Sequence, residues 1–160
     1  MYTRKDVLEL NNKAREIFDK DGFHSPVVIL FRGDAKLVLP VSEIYKDKES
    51  FKRIPDDIRQ AIKLLNARSV AIIFESWMYE GKGENDSITK ELIEGKKTVK
   101  EIDEKVDILM VRAESDDGLN VTFINPVKRD KEGKKYLDDV KEISNLTGAK
   151  TLVGNFVNLF

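Results

Sequence analysis

Residues 68–79 read RSVAIIFESWMY and form the longest run of the chain that is rich in β-branched and aromatic side chains. The start of this run is apolar on both alternating faces, with Val70 and Ile72 on one side and Ala71 on the other. A strand that is apolar on both faces is typical of one that is covered on both sides. The pattern therefore predicts that residues 70–77 form the central strand of a sheet.

The second half of the run changes character, because Glu75 is followed on its own face by Trp77 and Tyr79. Burying a carboxylate that has no partner is costly, so Glu75 needs a cation or contact with water. Arg32 and Arg112 each come late in another apolar strand and are candidate partners. These five residues are the predicted binding residues if they line a pocket. The alternative is that they are exposed rim residues or a structural ion pair.

The composition indicates one globular domain, residues 1–160, with 41% hydrophobic and 36% charged residues. The 28 basic and 29 acidic residues nearly cancel, which disfavours general nucleic-acid binding. The N-terminus lacks the apolar core of a signal peptide, and no apolar run approaches the ~20 residues that a membrane-spanning helix needs. We therefore expect a soluble, cytoplasmic protein that does not bind membranes.

Several kinds of chemistry lack their residues in this chain. There is no cysteine, and His24 is the single histidine, so thiolate sites and two-histidine metal sites are unavailable within one chain. The spacing of a phosphate-binding P-loop is also missing. We predict no metal and no cofactor. His24 is interpreted as a turn residue, unless a nucleophile lies beside it.

The first half of the chain predicts a helix, a hairpin and a second helix. Thr3 can cap a helix that stops at Gly22. Residues 26–32 and 36–41 read as two strands joined by a tight turn. Pro55 suits the first turn of a helix that leads into the central strand.

Two segments have an irregular pattern. Residues 43–51 are charged and show no clear period. Residues 80–105 are rich in glycine and charge, with a short helix possible only at 87–93. We expect the second segment to be a long mobile excursion.

The last third predicts a hairpin, a helix and a final strand. Residues 106–114 and 119–127 form the hairpin around a Ser-Asp-Asp-Gly turn. A helix is expected between Gly133 and Gly148, and it carries Tyr136, Leu137, Val140, Ile143 and Leu146. The closing residues alternate like a strand. The fold class is thus α+β, with a mixed, mostly antiparallel sheet of five to six strands and three or four helices.

Two short motifs resemble a family of small uncharacterised prokaryotic and phage proteins. The first is Glu75-Ser76-Trp77-Met78 after an apolar strand, where the family carries Glu-Ala-Trp-Met. The second is Arg129-Asp130 followed by Gly133, after the second hairpin. The resemblance covers the middle third to half of the chain. The family has no assigned activity, so the resemblance implies only that Glu75 and Trp77 are shared features.

A binding or regulatory module is the function that these patterns favour, because the sequence shows no nucleophile with its base, no ligand set and no cofactor motif. The alternative is a carboxylate-dependent hydrolase or lyase that uses Glu75 as its catalytic residue. A cleft in which Glu75 faces a second acid, such as Asp34 or Glu114, would favour the enzyme. Glu75 paired with arginine on a flat surface would favour the module.

The C-terminal stretch, residues 149–160, is apolar on both faces and needs cover. A second copy of the chain could supply that cover through a sheet edge or through this strand. We therefore expect a homodimer. The alternative is that the strand lies inside the sheet of one chain.

Overall fold

A computed structural model describes residues 2–83, 85–144 and 159 of the chain. The described part contains five α-helices and seven β-strands. The helices are α1 (Arg4–Asp21), α2 (Val41–Ile44), α3 (Lys48–Phe51), α4 (Ile54–Leu65) and α5 (Ser87–Ile93), and a 3-10 helix spans Val99–Glu101. The strands are β1 (Val27–Arg32), β2 (Ala35–Pro40), β3 (Ser69–Met78), β4 (Val106–Ser115), β5 (Asn120–Arg129), β6 (Lys135–Leu137) and β7 (Lys141–Ser144).

The seven strands form one sheet in the order β2-β1-β3-β4-β5-β6, and β7 also pairs with β5. Every strand pair in the described residues is antiparallel. The α+β class with a mostly antiparallel sheet is confirmed. The sheet has seven strands where five to six were expected, and the described residues contain five α-helices where three or four were expected. Strands β2 and β3 do run in the same direction, but β1 lies between them.

Strand β3 occupies the centre of the sheet, as its pattern predicts, and its first five residues are buried. On one face, Ala71 and Ile73 pack against α1 through its buried residue Phe18. On the other face, Val70 and Ile72 pack against a cluster that includes residues of α4. A strand covered on both sides can be apolar on both sides, which explains why this run stands out in the sequence.

Helix α1 begins and ends where its sequence predicts. The Thr3 side chain and backbone exchange hydrogen bonds with Asp6 in a capping box, and Gly22 ends the helix in the left-handed region with φ of 76°. Helix α4 begins at Ile54, next to Pro55 in its first turn. The β1–β2 hairpin and the β4–β5 hairpin are also present as predicted.

The helix predicted between Gly133 and Gly148 is wrong for the described residues. Strands β6 and β7 take its place up to Ser144, and both lie along β5. The apolar residues have helical spacing, but the segment forms strands instead, because β5 offers unpaired backbone groups on the side away from β4. The predicted strand at the C-terminus lies outside the described residues, apart from Leu159.

The two irregular segments contain more helix than their patterns indicate. Helices α2 and α3 occupy much of residues 41–51, and Asp47 caps α3. In the long excursion, α5 spans Ser87–Ile93 as predicted. The mobility of the excursion stays a prediction. No helix in the described part of the chain combines the length and apolar character needed to cross a membrane.

Candidate functional site

A notch beside the central strand creates the candidate site. Strand β1 begins at Val27, which pairs with Ile73, whereas β3 continues to Met78. Glu75 therefore lies beyond the last residue of β3 that pairs with β1. The incoming chain fills part of this notch, and the backbone N–H of His24 donates to Glu75 Oε1 at 2.8 Å. A carboxylate and a histidine are thus brought together across 51 residues of sequence.

A cavity of about 200 Å³ lies at this notch. Its polar lining residues are His24 and Glu75. Its apolar lining residues come from β1, β3, α2, α3 and the segment before β1, and they are Pro26, Val27, Val28, Val41, Phe51, Ile72, Ile73 and Phe74. The arrangement is an apolar pocket with two polar groups, which is the usual composition of small-molecule sites, although the volume is below their usual range.

A second depression of about 340 Å³ adjoins the first and shares His24 with it. Ile17 and Phe23 line this depression, and both side chains are substantially exposed. Phe51 of the first cavity is exposed to a similar degree. His24 therefore lies between a small cavity and a neighbouring apolar surface.

The ring of His24 is fixed by a hydrogen bond through Nδ1. Its side chain is nearly buried, with 9% of its surface exposed, and Nδ1 lies 2.7 Å from the carbonyl oxygen of Ser25. A carbonyl oxygen can only accept a hydrogen bond, so Nδ1 carries the proton in this contact. The turn prediction for His24 gave no sign of this arrangement.

Glu75 has one occupied and one available oxygen. Oε1 accepts the hydrogen bond from His24, and no donor among the described residues reaches Oε2. None of the residues that line the cavity is serine, threonine, cysteine or lysine. The lining of the cavity is therefore mostly apolar and includes no side-chain nucleophile of these types.

The predicted pairing of Glu75 with arginine is wrong. Arg112 pairs across the sheet with Ile72, so its side chain lies on the face opposite to that of Glu75. Arg32 lies at the far end of β1, opposite Ala35. Strand register and face separate both arginines from Glu75, although all three come late in apolar runs.

Neither of the two acids considered as a second carboxylate, Asp34 and Glu114, lies beside Glu75. Glu114 forms a buried salt bridge with Arg112 on the other face of the sheet. Asp34 lies in the turn between β1 and β2, away from the end where β1 begins. Among the residues that the structure describes, Glu75 therefore has neither the second acid nor the arginine partner that the sequence suggested as discriminators.

Trp77 in β3 and Tyr79 just after β3 do not line the cavity. Trp77 is 44% exposed and lies opposite Asp107. The hydroxyl of Tyr79 donates to Asp86 Oδ2 at 2.6 Å. Of the five predicted binding residues, only Glu75 is placed at the cavity.

Asp86 organises the start of the long excursion. Its carboxylate accepts hydrogen bonds from the Tyr79 hydroxyl, the Thr89 hydroxyl and the backbone N–H groups of Lys82 and Ile88. These bonds, with that from Tyr79 the strongest, hold the pKa of Asp86 well below its usual range. The same hydrogen bond, together with burial and the charge of Asp86, raises the pKa of Tyr79 to about 12. Tyr79 is therefore an anchor for the excursion.

Two buried polar networks were missed by the sequence patterns. Arg112 donates to Glu114 and, at 2.8 Å, to Thr122 Oγ1, while Glu114 Oε2 accepts from the backbone N–H of Leu159 at 2.7 Å. On the other face, Asn125 Nδ2 donates to Asn11 Oδ1 at 2.8 Å. The signal for the second network was Asn11 itself, a polar residue on the buried stripe of α1.

No group of three or more histidine, cysteine, aspartate or glutamate side chains within the described ranges is arranged to hold a metal ion. The prediction that the protein needs no metal or cofactor remains untested by this observation.

Comparison with protein-family models, curated proteins and solved structures gives no match. The resemblance to proteins with a Glu-Ala-Trp-Met motif therefore stays a prediction, and the assignment of function rests on the cavity beside His24 and Glu75.

Proposed function

We propose that the protein is a binding module whose ligand enters the cavity between His24 and Glu75. The observation that carries this proposal is the cavity of about 200 Å³, whose lining is mostly apolar and also includes His24 and Glu75. Apolar walls provide affinity and a few polar groups provide orientation in typical binding sites. The small volume suits a small molecule. A cytoplasmic location remains part of this proposal.

Binding is favoured over catalysis by the residues at the cavity. A carboxylate-dependent hydrolase or lyase would use Glu75 as its acid or base, and a second acid beside it would support that role. Glu114 is engaged by Arg112 instead. The hydrolase or lyase therefore remains the alternative, and turnover of a bound probe would favour it.

The cavity can be tested by closing it. Val41 is buried and lines the cavity, so Val41→Phe would place a ring in the space that a ligand needs. Val140→Phe is the matched control, because Val140 is exposed and does not line the cavity. Circular dichroism would first establish that both variants fold.

The assay is an NMR titration of the 15N-labelled protein with 2-phenylethanol and indole. We expect chemical-shift changes centred on the backbone amides of His24 and Glu75. They should disappear in Val41→Phe and persist in Val140→Phe. Shift changes centred elsewhere, or changes that persist in Val41→Phe, would refute the proposed site.

We also propose that the chain forms a homodimer through β2. This strand lies at the edge of the sheet, and its Leu37 and Val38 are 43% and 49% exposed on opposite faces. Unpaired edge strands readily pair with another chain. Leu159, by contrast, is 3% exposed and packs in the core of its own chain. The sheet edge is therefore the favoured interface.

A further inference from the structure

We infer that β3 binds an extended peptide, in which basic and apolar residues alternate, along its open edge beside β1. This β3 edge consists of residues 75–78, which lie beyond the last pair that β3 forms with β1. The inference goes beyond the ligand of the cavity and does not depend on it. It follows from the direction of the backbone groups at the β3 edge and from the charge and exposure of the side chains beside it.

Two residues of the β3 edge direct their backbone groups toward the line of β1. The Pro26 carbonyl accepts a backbone hydrogen bond at 3.1 Å from the residue that follows β2, so Pro26 faces β2 and Val27 faces β3. Val27 pairs with Ile73, so the backbone of Ile73 faces β1. Backbone groups alternate in direction along an antiparallel strand. Those of Glu75 and Trp77 therefore face the same side as Ile73.

These backbone groups have no strand partner within the described ranges. If β1 continued, Ser25 would exchange hydrogen bonds with the backbone of Glu75. The Ser25 carbonyl lies 2.7 Å from His24 Nδ1 instead, and the His24 N–H donates to the Glu75 side chain. No backbone hydrogen bond between described residues engages Glu75 or Trp77 on this side. Each of the two residues therefore offers one N–H and one carbonyl in strand geometry.

An extended peptide is the ligand whose own N–H and carbonyl groups alternate in the same way. Strand addition to an open sheet edge uses main-chain hydrogen bonds for affinity and alternate side chains for specificity. A peptide that runs antiparallel to β3, in line with β1, would place one of its residues opposite Trp77. The backbone of that residue would pair with the backbone of Trp77.

The side chains on one face of the β3 edge favour a basic residue at this position. Trp77 is 44% exposed, and the exposed residue Asp107 lies opposite it on β4. Glu75 is exposed on the same face. No salt bridge among the described residues neutralises either carboxylate. An arginine opposite Trp77 would contact the indole ring beside two negative charges, and both interactions are favourable.

The other face of the β3 edge favours apolar residues. Ser76 and Met78 point to this face, and both are half-buried. Because side chains alternate along a strand, the peptide residues on either side of the arginine would lie against Ser76 and Met78. The complementary peptide therefore alternates arginine or lysine with residues such as valine.

The test is an NMR titration of the 15N-labelled full chain with the peptide acetyl-Thr-Arg-Val-Arg-Val-Thr-amide. We expect chemical-shift changes centred on the backbone amides of residues 76–78. The matched peptide with glutamate in place of both arginines should bind about tenfold more weakly, because like charges across a strand pair repel each other.

Methylation of the peptide backbone tests strand addition directly. In the proposed register the arginine N–H groups face β3, so methylating both of them should abolish binding. The valine N–H groups face away from β3, so methylating both should preserve binding. Equal binding of the two methylated peptides would refute strand addition.

Asp107→Lys tests the charge preference on the protein side. It should weaken binding of the arginine peptide about fivefold, the size expected for one cross-strand charge pair. Glu132→Lys is the matched control, because Glu132 is an exposed acid in the turn between β5 and β6. Circular dichroism would establish that both variants fold. Equal loss of affinity in the two variants would show that only the overall charge matters and would overturn the inference.

The remaining outcomes identify other occupants. Shift changes centred on residues 35–40 would assign the peptide to the edge formed by β2 and overturn the inference. Shifts of residues 76–78 that change with protein concentration, in the absence of peptide, would assign the β3 edge to a second copy of the chain. No shift at residues 76–78 with millimolar peptide would also overturn the inference.

Discussion

The buried salt bridge between Arg112 and Glu114 gives the sharpest test of how this sheet is stabilised. Both side chains are almost fully buried, with 3% and 5% of their surfaces exposed. Arg112 also donates to Thr122, and Glu114 also accepts from the backbone of Leu159. The perturbation is Arg112→Met, which keeps an unbranched apolar chain and removes the guanidinium.

The expected loss follows from the carboxylate that remains. Removing one partner of a buried ion pair costs about 3–5 kcal/mol, because the other charge stays out of water without its counter-ion. Folded domains are stable by only about 5–15 kcal/mol, so this is a large fraction of the total. For a chain of this size, the melting temperature should fall by roughly 6–20 °C.

A second substitution identifies the cause. In Arg112→Met/Glu114→Gln the buried charge is gone, while the amide oxygen can still accept from Leu159. The remaining cost is that of imperfectly bonded neutral groups, about 1–3 kcal/mol. The double variant should therefore be more stable than Arg112→Met alone. Such a rescue is expected only if the charge, rather than lost packing, causes the damage.

The assay is urea unfolding at pH 7, followed by circular dichroism and analysed by linear extrapolation. Arg68→Met is the control, because Arg68 pairs with Asp116 at an exposed position and should lose much less stability. The reasoning is refuted if Arg112→Met costs less than about 1 kcal/mol, or if the double variant is no more stable than the single one.

Four further predictions concern other parts of the fold. Asp86→Asn should lower the pKa of Tyr79 from about 12 toward its unperturbed value of about 10, as measured by tyrosinate absorbance; an unchanged titration would contradict the role of Asp86. The pKa of Asp86 is lower in the folded protein than in the unfolded chain, where it is about 3.9. The stabilisation that ionised Asp86 provides is therefore present above about pH 3.9 and should be lost as the pH falls through the pKa of the folded state. Phe18→Ala should cost about 3–5 kcal/mol in urea unfolding, since Phe18 is fully buried between α1 and the sheet; a change below about 1 kcal/mol would show that this side chain is not part of a tightly packed core. Light scattering of the wild-type protein should give about twice the mass of one chain, which is 18.3 kDa. Val38→Lys should be monomeric, and the exposed control Val106→Lys should remain dimeric. A wild-type mass near that of one chain would refute the homodimer.

Local sequence signals account for the parts of the fold that were predicted well. Thr3 and Gly22 bound α1 through contacts within a few residues, so the helix could be predicted from its ends. The β4–β5 hairpin depends similarly on a short turn between two apolar runs. The central position of β3 could also be predicted, because burial on both faces leaves a continuous apolar pattern.

The candidate site was only partly predictable. Glu75 was identified because a charged residue interrupts an apolar strand, but its partner was expected to be an arginine. The observed partner is the backbone N–H of His24, and a backbone group leaves no signal in the pattern of residue types. Phe51 is another lining residue that the pattern missed, because its short helix lies in a segment without a clear period.

The sequence by itself determined the α+β class, the ends of α1 and the central strand, because these depend on local capping and on the period of apolar residues. Only the tertiary structure decided that residues 135–144 pair with β5 instead of forming a helix, and that Arg112 and Glu75 lie on opposite faces of the sheet. Strand pairing satisfies backbone groups that are distant in sequence, and register then sets the face of every side chain. The cavity at His24 and Glu75 results from where β1 begins relative to β3, which is a property of that register.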